Sequence, residues 1–125
     1  MANFNELLGQ TIVSLIGAST DSEEITIFTK EGYTYKMYHY QDCCESVSVE
    51  DIIGDTEDLM NTPITMAEEV TSEDASPEGY VFGYEPESYT WTFYKLATVK
   101  GYVTIRWLGQ SNGYYSESVT FKQVV

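Results

Sequence analysis

Apolar and polar residues alternate along most of the chain with the period of two that half-buried strands require. The exception is the start. Asn3-Phe4-Asn5-Glu6 reads as a capping box, with Asn3 as N-cap and Glu6 reaching back. Leu7 and Leu8 follow and Gly9 can close the turn, so a helix of one or two turns is predicted. Strands are predicted over residues 11–16, 24–30 and 33–40, with a Gly-containing turn between the last two. A three-residue loop Lys30-Glu31-Gly32, with Gly32 left-handed, pairs Ile27 with Tyr35 and Ile25 with Met37, setting apolar beside apolar. His39 then lies at the end of the core-facing row of Tyr35 and Met37.

The last third predicts a three-strand meander over residues 88–98, 101–109 and 114–124. A two-residue turn at Lys100-Gly101 would set Lys95 against Arg106, which is repulsive. A three-residue loop Val99-Lys100-Gly101 instead pairs Phe93 with Trp107, Lys95 with Ile105 and Ala97 with Val103. Trp91, Phe93, Val103, Ile105 and Trp107 then share one face with Val119 and Phe121. Thr92, Tyr94, Thr104, Arg106, Ser116 and Ser118 share the other, and Asn112-Gly113 makes the second turn. Two further strands, 47–53 and 64–70, flank an acidic turn at 54–62, and the turn-rich stretch 71–87 reads as a long loop. No internal repeat or second domain is visible. The expectation is one domain over residues 1–125, mainly antiparallel β: a curled sheet or small open barrel of about seven or eight strands with a short N-terminal helix.

Composition narrows the function classes. The 125 residues suffice for a core without disulfide staples. The net charge is −14, with only six basic residues. Phosphate backbones and anionic membranes are held by many Lys and Arg contacts, so neither nucleic acid nor membrane is an expected partner. Such acidity keeps a chain soluble, and it also suits docking into a basic cleft by imitation of nucleic acid. Eleven tyrosines supply side chains with an apolar body and a polar tip, suited to contact surfaces. The N-terminus lacks a basic n-region and an apolar h-region, no run approaches a membrane span, and the two cysteines are adjacent rather than spaced as a secreted framework. A cytoplasmic protein is expected.

The stretch YHYQDCCESVSVED, residues 38–51, holds the sole histidine and both cysteines. His39, Asp42, Cys43, Cys44 and Glu45 invite a metal reading. Structural zinc wants two spaced ligand pairs, and no second cluster exists. In extended backbone Cys43 and Cys44 would point to opposite faces. A disulfide between them is disfavoured, because neighbouring Cα atoms lie ~3.8 Å apart against a usual lower bound of ~4.4 Å. A Cys43 nucleophile with His39 as base is chemically coherent. Asp42 and Glu45 oppose thiolate formation, so a structural role is preferred. The acidic residues Asp51, Asp55, Glu57 and Asp58 lack the spacing of a calcium loop. No cofactor is expected. Arg106, facing Tyr94 among the hydroxyls of Thr92, Thr104, Ser116 and Ser118, is the best ligand candidate, since arginine clamps carboxylate or phosphate. With Tyr114, Tyr115, Ser116 and Glu117 it would make a nucleotide-like pocket; pairing of Arg106 with an acid such as Glu117 or Asp42 is the competing, structural reading.

MYHYQDCCESVSVEDIIGD, ITMAEEVTS and SYTWTFYKLATVKGYVTIRWLGQSNGYYSESVTF, with LLGQTIVSL before them, resemble a family of small acidic proteins of unknown function encoded mainly by bacteriophages and prophages. His39, Asp42, Cys43, Cys44 and Glu45 match its pattern, HxxDCCE. The resemblance implies a phage accessory protein acting in the cytosol of an infected bacterium, and no residue role comes with it. Three functions are therefore expected in descending order. The first is a non-enzymatic protein that binds and inhibits a host protein, of the defence machinery in particular. The second is a sponge that sequesters a nucleotide immune signal. The third is an enzyme dependent on His39 and Cys43. Association into an oligomer is compatible with each of the three.

Overall fold

A computed structural model describes residues 3–73, 76–77, 80–82 and 86–125. Among these, eight strands form two antiparallel four-stranded sheets. β1 (Ile12–Ile16), β2 (Glu24–Thr29), β3 (Thr34–Tyr38) and β8 (Thr120–Gln123) form the first, in the order β1-β2-β3-β8. β4 (Ser46–Ile53), β5 (Met66–Glu73), β6 (Ser88–Thr98) and β7 (Gly101–Ser111) form the second, in the order β4-β7-β6-β5. The fold is mainly antiparallel β, as the alternation predicts, and neither sheet closes into a barrel. The N-terminal helix is a single 3-10 turn, Phe4–Leu7, in which the Glu6 carboxylate accepts the Asn3 N–H at 2.9 Å. A second 3-10 turn, Thr56–Leu59, occupies the acidic segment that reads as an open turn in the sequence.

The β2–β3 hairpin has the expected register, Ile25 opposite Met37 and Ile27 opposite Tyr35, with Gly32 at φ +95°. The β6–β7 hairpin does not. Its turn is the two residues Val99-Lys100, which pairs Phe93 with Arg106, Tyr94 with Ile105 and Leu96 with Val103. The shift is one residue relative to the sequence expectation, and one residue exchanges the faces of a strand. Thr92, Tyr94 and Leu96 therefore face the core with Val103, Ile105 and Trp107, whereas Trp91 and Phe93 lie on the outer face with Arg106. Gly101 opens β7 rather than the turn. A Cβ there would press on the Asp58 side chain, so its role is to admit the second 3-10 turn.

The expected meander also breaks after β7. β4 takes the place beside β7, and residues 114–119 leave the second sheet to deliver β8 to β3 in the first. The crossing is close. A Cβ at Gly109 would collide with the backbone of Glu117, so glycine is what allows residues 115–119 to lie over the inner face. The predicted loop 71–87 overlaps the end of β5, and residues 74–75, 78–79 and 83–85 within it lie outside the described residues. Of the remainder, Tyr80 and Phe82 stand edge-on or tilted against Trp91, and Ser76 accepts the Trp91 indole N–H at 3.1 Å.

Ile25, Ile27, Tyr35, Met37 and Phe121 from the first sheet and Tyr94, Leu96, Val103, Ile105 and Trp107 from the second form one buried cluster. Phe4 sits between them, its ring 4.7 Å from Tyr94 and 5.2 Å from Phe121. The 3-10 turn thus closes part of one edge of the sandwich. Beyond it Glu69, Thr71 and Glu73 of β5 are exposed.

Candidate functional site

The conspicuous stretch around His39 is fastened from within. His39 continues the core-facing row of β3, and its side chain is 4% exposed. Nδ1 lies 2.7 Å from the Ser118 carbonyl and Nε2 lies 2.7 Å from Glu45 Oε2. Both partners are oxygen acceptors, so the ring is held at both nitrogens between the Ser118 carbonyl and the Glu45 carboxylate. The Glu45 carboxylate, fully buried, also accepts the backbone N–H groups of Asp42 and Cys43, each at 2.9 Å, and the Gln41 amide at 3.3 Å. Burial by itself would raise the Glu45 carboxyl. The hydrogen bonds from His39, Cys43 and Asp42 outweigh it and hold the group at about 2. The carboxylate is the hub on which residues 39–45 turn.

Cys43 and Cys44 are joined in a disulfide, which overturns the expectation that neighbouring cysteines diverge. The reason is local. The chain bends at Cys43-Cys44 instead of running extended, so strand alternation does not govern their side chains. Among the described residues no cysteine is free and no three His, Cys, Asp or Glu side chains are grouped to hold a metal ion. His39 contacts protein acceptors at both ring nitrogens, and both sulfurs lie in the disulfide, so no free thiol stands beside the imidazole. The cluster ties β3 to the segment before β8.

Arg106 is placed by the inverted face. β4 carries a bulge between Val49 and Asp51, leaving Glu50 without a ladder partner. Glu50 Oε1 accepts from Arg106 Nε at 2.6 Å and lies 2.5 Å from Nη2. The guanidinium also lies 5.3 Å from the Trp91 ring centre, within cation–π range. Tyr94 and Thr92 are buried on the opposite face of the sheet. The predicted ligand set is therefore split: Arg106 is outside and paired with Glu50, neither Glu117 nor Asp42, while Thr92, Tyr115, Ser116 and Glu117 come together on the inner side without it. Tyr114 projects into solvent, 83% exposed.

That inner side holds a cleft of about 450 Å³ between the ends of β5 and β6 and residues 113–119. Alternation along β5 sets Glu69, Thr71 and Glu73 on this face, opposite Tyr94, Thr92 and Thr90. Glu117, 7% exposed, forms the facing wall; its carboxylate accepts the Thr90 hydroxyl at 2.8 Å and the Ser111 hydroxyl at 2.5 Å. Burial raises the Glu69 carboxyl above its ordinary value. Burial, and after it the Glu69 charge, holds the Tyr94 phenol far above its ordinary value. Glu69 and Glu73 are absent from the sequence-derived candidates. The Glu69-Thr71-Glu73 alternation is the available signal, and it runs past residue 70, where the predicted strand ends.

These features define an all-β, two-sheet protein whose reactive-looking cluster is bonded internally and which carries an acidic cleft beside β5. Comparison with protein families then places it. The chain belongs to the family described as domain of unknown function DUF7448, whose model matches residues 5–121. Neither the curated proteins nor the solved structures compared with it give a match. None of the helices among the described residues is long and apolar enough to cross a membrane.

Proposed function

We propose that the chain works stoichiometrically and without catalysis, by docking on a basic partner protein. The observation that carries this is the charge: −14 overall, with two of its six basic residues, Arg106 and Lys36, already paired with Glu50 and Glu24. An excess of that size steers encounter with a positive surface and weakens as salt screens it. Tyr40 and Tyr114, 77% and 83% exposed, offer the aromatic anchors that protein interfaces favour. The resemblance to phage-encoded proteins supports a host protein of an infected bacterium as this partner, inhibited by the occupation, in the cytoplasm.

The test is affinity capture of the native protein from infected-cell lysate, followed by mass spectrometry. An equally acidic, unrelated protein serves as the control. A basic protein retained at fixed stoichiometry and released by moderate salt is expected. Retention no different from the acidic control, or chemical turnover of a retained small molecule, refutes the reading.

A further inference from the structure

We infer that the cleft between β5, β6 and residues 113–119 is a receptor for an alkylammonium or guanidinium group. Its carboxylates come from two separate walls. Glu69 and Glu73 project from the edge strand, and Glu117 is held opposite them by the Thr90 and Ser111 hydroxyls. No basic side chain among the described residues pairs with any of the three. An acidic concavity with no basic partner and one of its carboxylates held in place is a site prepared for positive charge.

An independent observation comes from the floor. Thr92 lines the cleft, is 1% exposed, and its hydroxyl has no hydrogen-bond partner in the protein. Buried hydroxyls are nearly always partnered, and an N–H donor entering the cleft would supply what Thr92 lacks. The desolvation felt by Glu69 points the same way, because a cation arriving beside it relieves that penalty. Tyr115 also lines the cleft, and an aromatic wall favours an organic cation. Metal is disfavoured because, among the described residues, no three ligating side chains are grouped closely enough. A phosphate or nucleotide is disfavoured by the carboxylates themselves. The volume suits a side chain or small amine.

This inference rests on the proposed docking on a basic protein, since a lysine or arginine of that partner is one source of the group; a free polyamine is the other. Calorimetric titration at low ionic strength with spermine, and separately with the capped tripeptide Gly-Arg-Gly, tests both. Saturable 1:1 binding of either probe is expected, with stronger binding of spermine assigning a free amine and of the tripeptide a partner side chain. Glu69→Gln combined with Glu73→Gln alters accessible positions and should weaken binding about tenfold per carboxylate removed. Thr92→Val should weaken it several-fold while the melting temperature holds or rises. Absence of saturable binding of both probes, an affinity that the double variant leaves unchanged, or selective binding of magnesium chloride at matched ionic strength overturns the inference. Failure here leaves a salt-sensitive partner complex intact in the double variant. Failure of the docking reading removes that complex while spermine still binds the cleft.

Discussion

Tyr94→Phe deletes one oxygen atom from the interior and keeps the ring that packs on Phe4 at 4.7 Å. Tyr94 is fully buried, and its hydroxyl has no hydrogen-bond partner. A buried hydroxyl without a partner costs about 1–3 kcal/mol relative to its hydrated state. Against this stands the void left by one oxygen, a few tenths of a kcal/mol at about 24 cal/mol per Å³. The net expectation is stabilisation by about 1 kcal/mol. For 125 residues at about 2.1 cal/mol/K each, the unfolding entropy is about 0.26 kcal/mol/K, so the melting temperature should rise by about 4 °C. Differential scanning calorimetry reads the shift, and urea unfolding with an unchanged slope confirms that the native state is the one affected. A fall of similar size would show that the hydroxyl is bonded, and with it the inner-facing placement of β6 would fail. The variant also separates the two ligand readings. Tyr94 belongs to the sequence-derived nucleotide pocket, whereas the acidic cleft does not need its hydroxyl.

Glu45→Gln should lower the melting temperature at neutral pH. The folded carboxyl is held at about 2, below its ordinary 4.5, so its contribution is complete above about 4.5 and is lost as pH falls through 2. The gap between wild type and variant should therefore close between those values, and a gap that stays constant would show that the carboxylate is not the stabilised species. Gly109→Ala should destabilise by about 1–3 kcal/mol, because the new methyl meets the Glu117 backbone. A neutral result in chemical denaturation would mean that residues 115–119 do not cross there. Arg106→Ala should cost about 1–2 kcal/mol from the Glu50 pair and the Trp91 contact together. A double-mutant cycle with Glu50→Gln should recover about 0.5–1 kcal/mol of coupling, and zero coupling would refute the bulge-directed pairing.

The β2–β3 hairpin was legible because one of its faces is free of charge and the other carries Glu24 and Lys36. Ile25, Ile27, Tyr35 and Met37 alternate with Glu24, Thr26 and Lys36, and a slip of one residue would bury charge. β6 offers no such asymmetry. Trp91 and Phe93 make one row apolar while Tyr94 and Leu96 make the other so, because Tyr80 and Phe82 cover the outer face as the first sheet covers the inner. Charge repulsion between Lys95 and Arg106 excluded one wrong register but could not select the right one. The glycine that suggested the turn, Gly101, serves the approach of Asp58 instead. A strand buried on both sides hides its register from alternation.

The same double coverage explains why the candidate site moved. The expected register puts Arg106 with Thr92 and Tyr94 by parity, and the one-residue shift sends them to opposite faces, where the bulge at Glu50 meets the arginine. Once Arg106 is engaged outside, the inner hydroxyls stand with Glu69, Glu73 and Glu117, and the sign of the pocket reverses. A clamp for phosphate becomes a receptor for a cation. That reversal follows from pairing geometry alone, and it brings the cleft into agreement with the charge of the whole molecule. The steering field and the concavity now favour the same kind of partner, whereas the sequence-derived pocket required an anion to approach a surface that repels it.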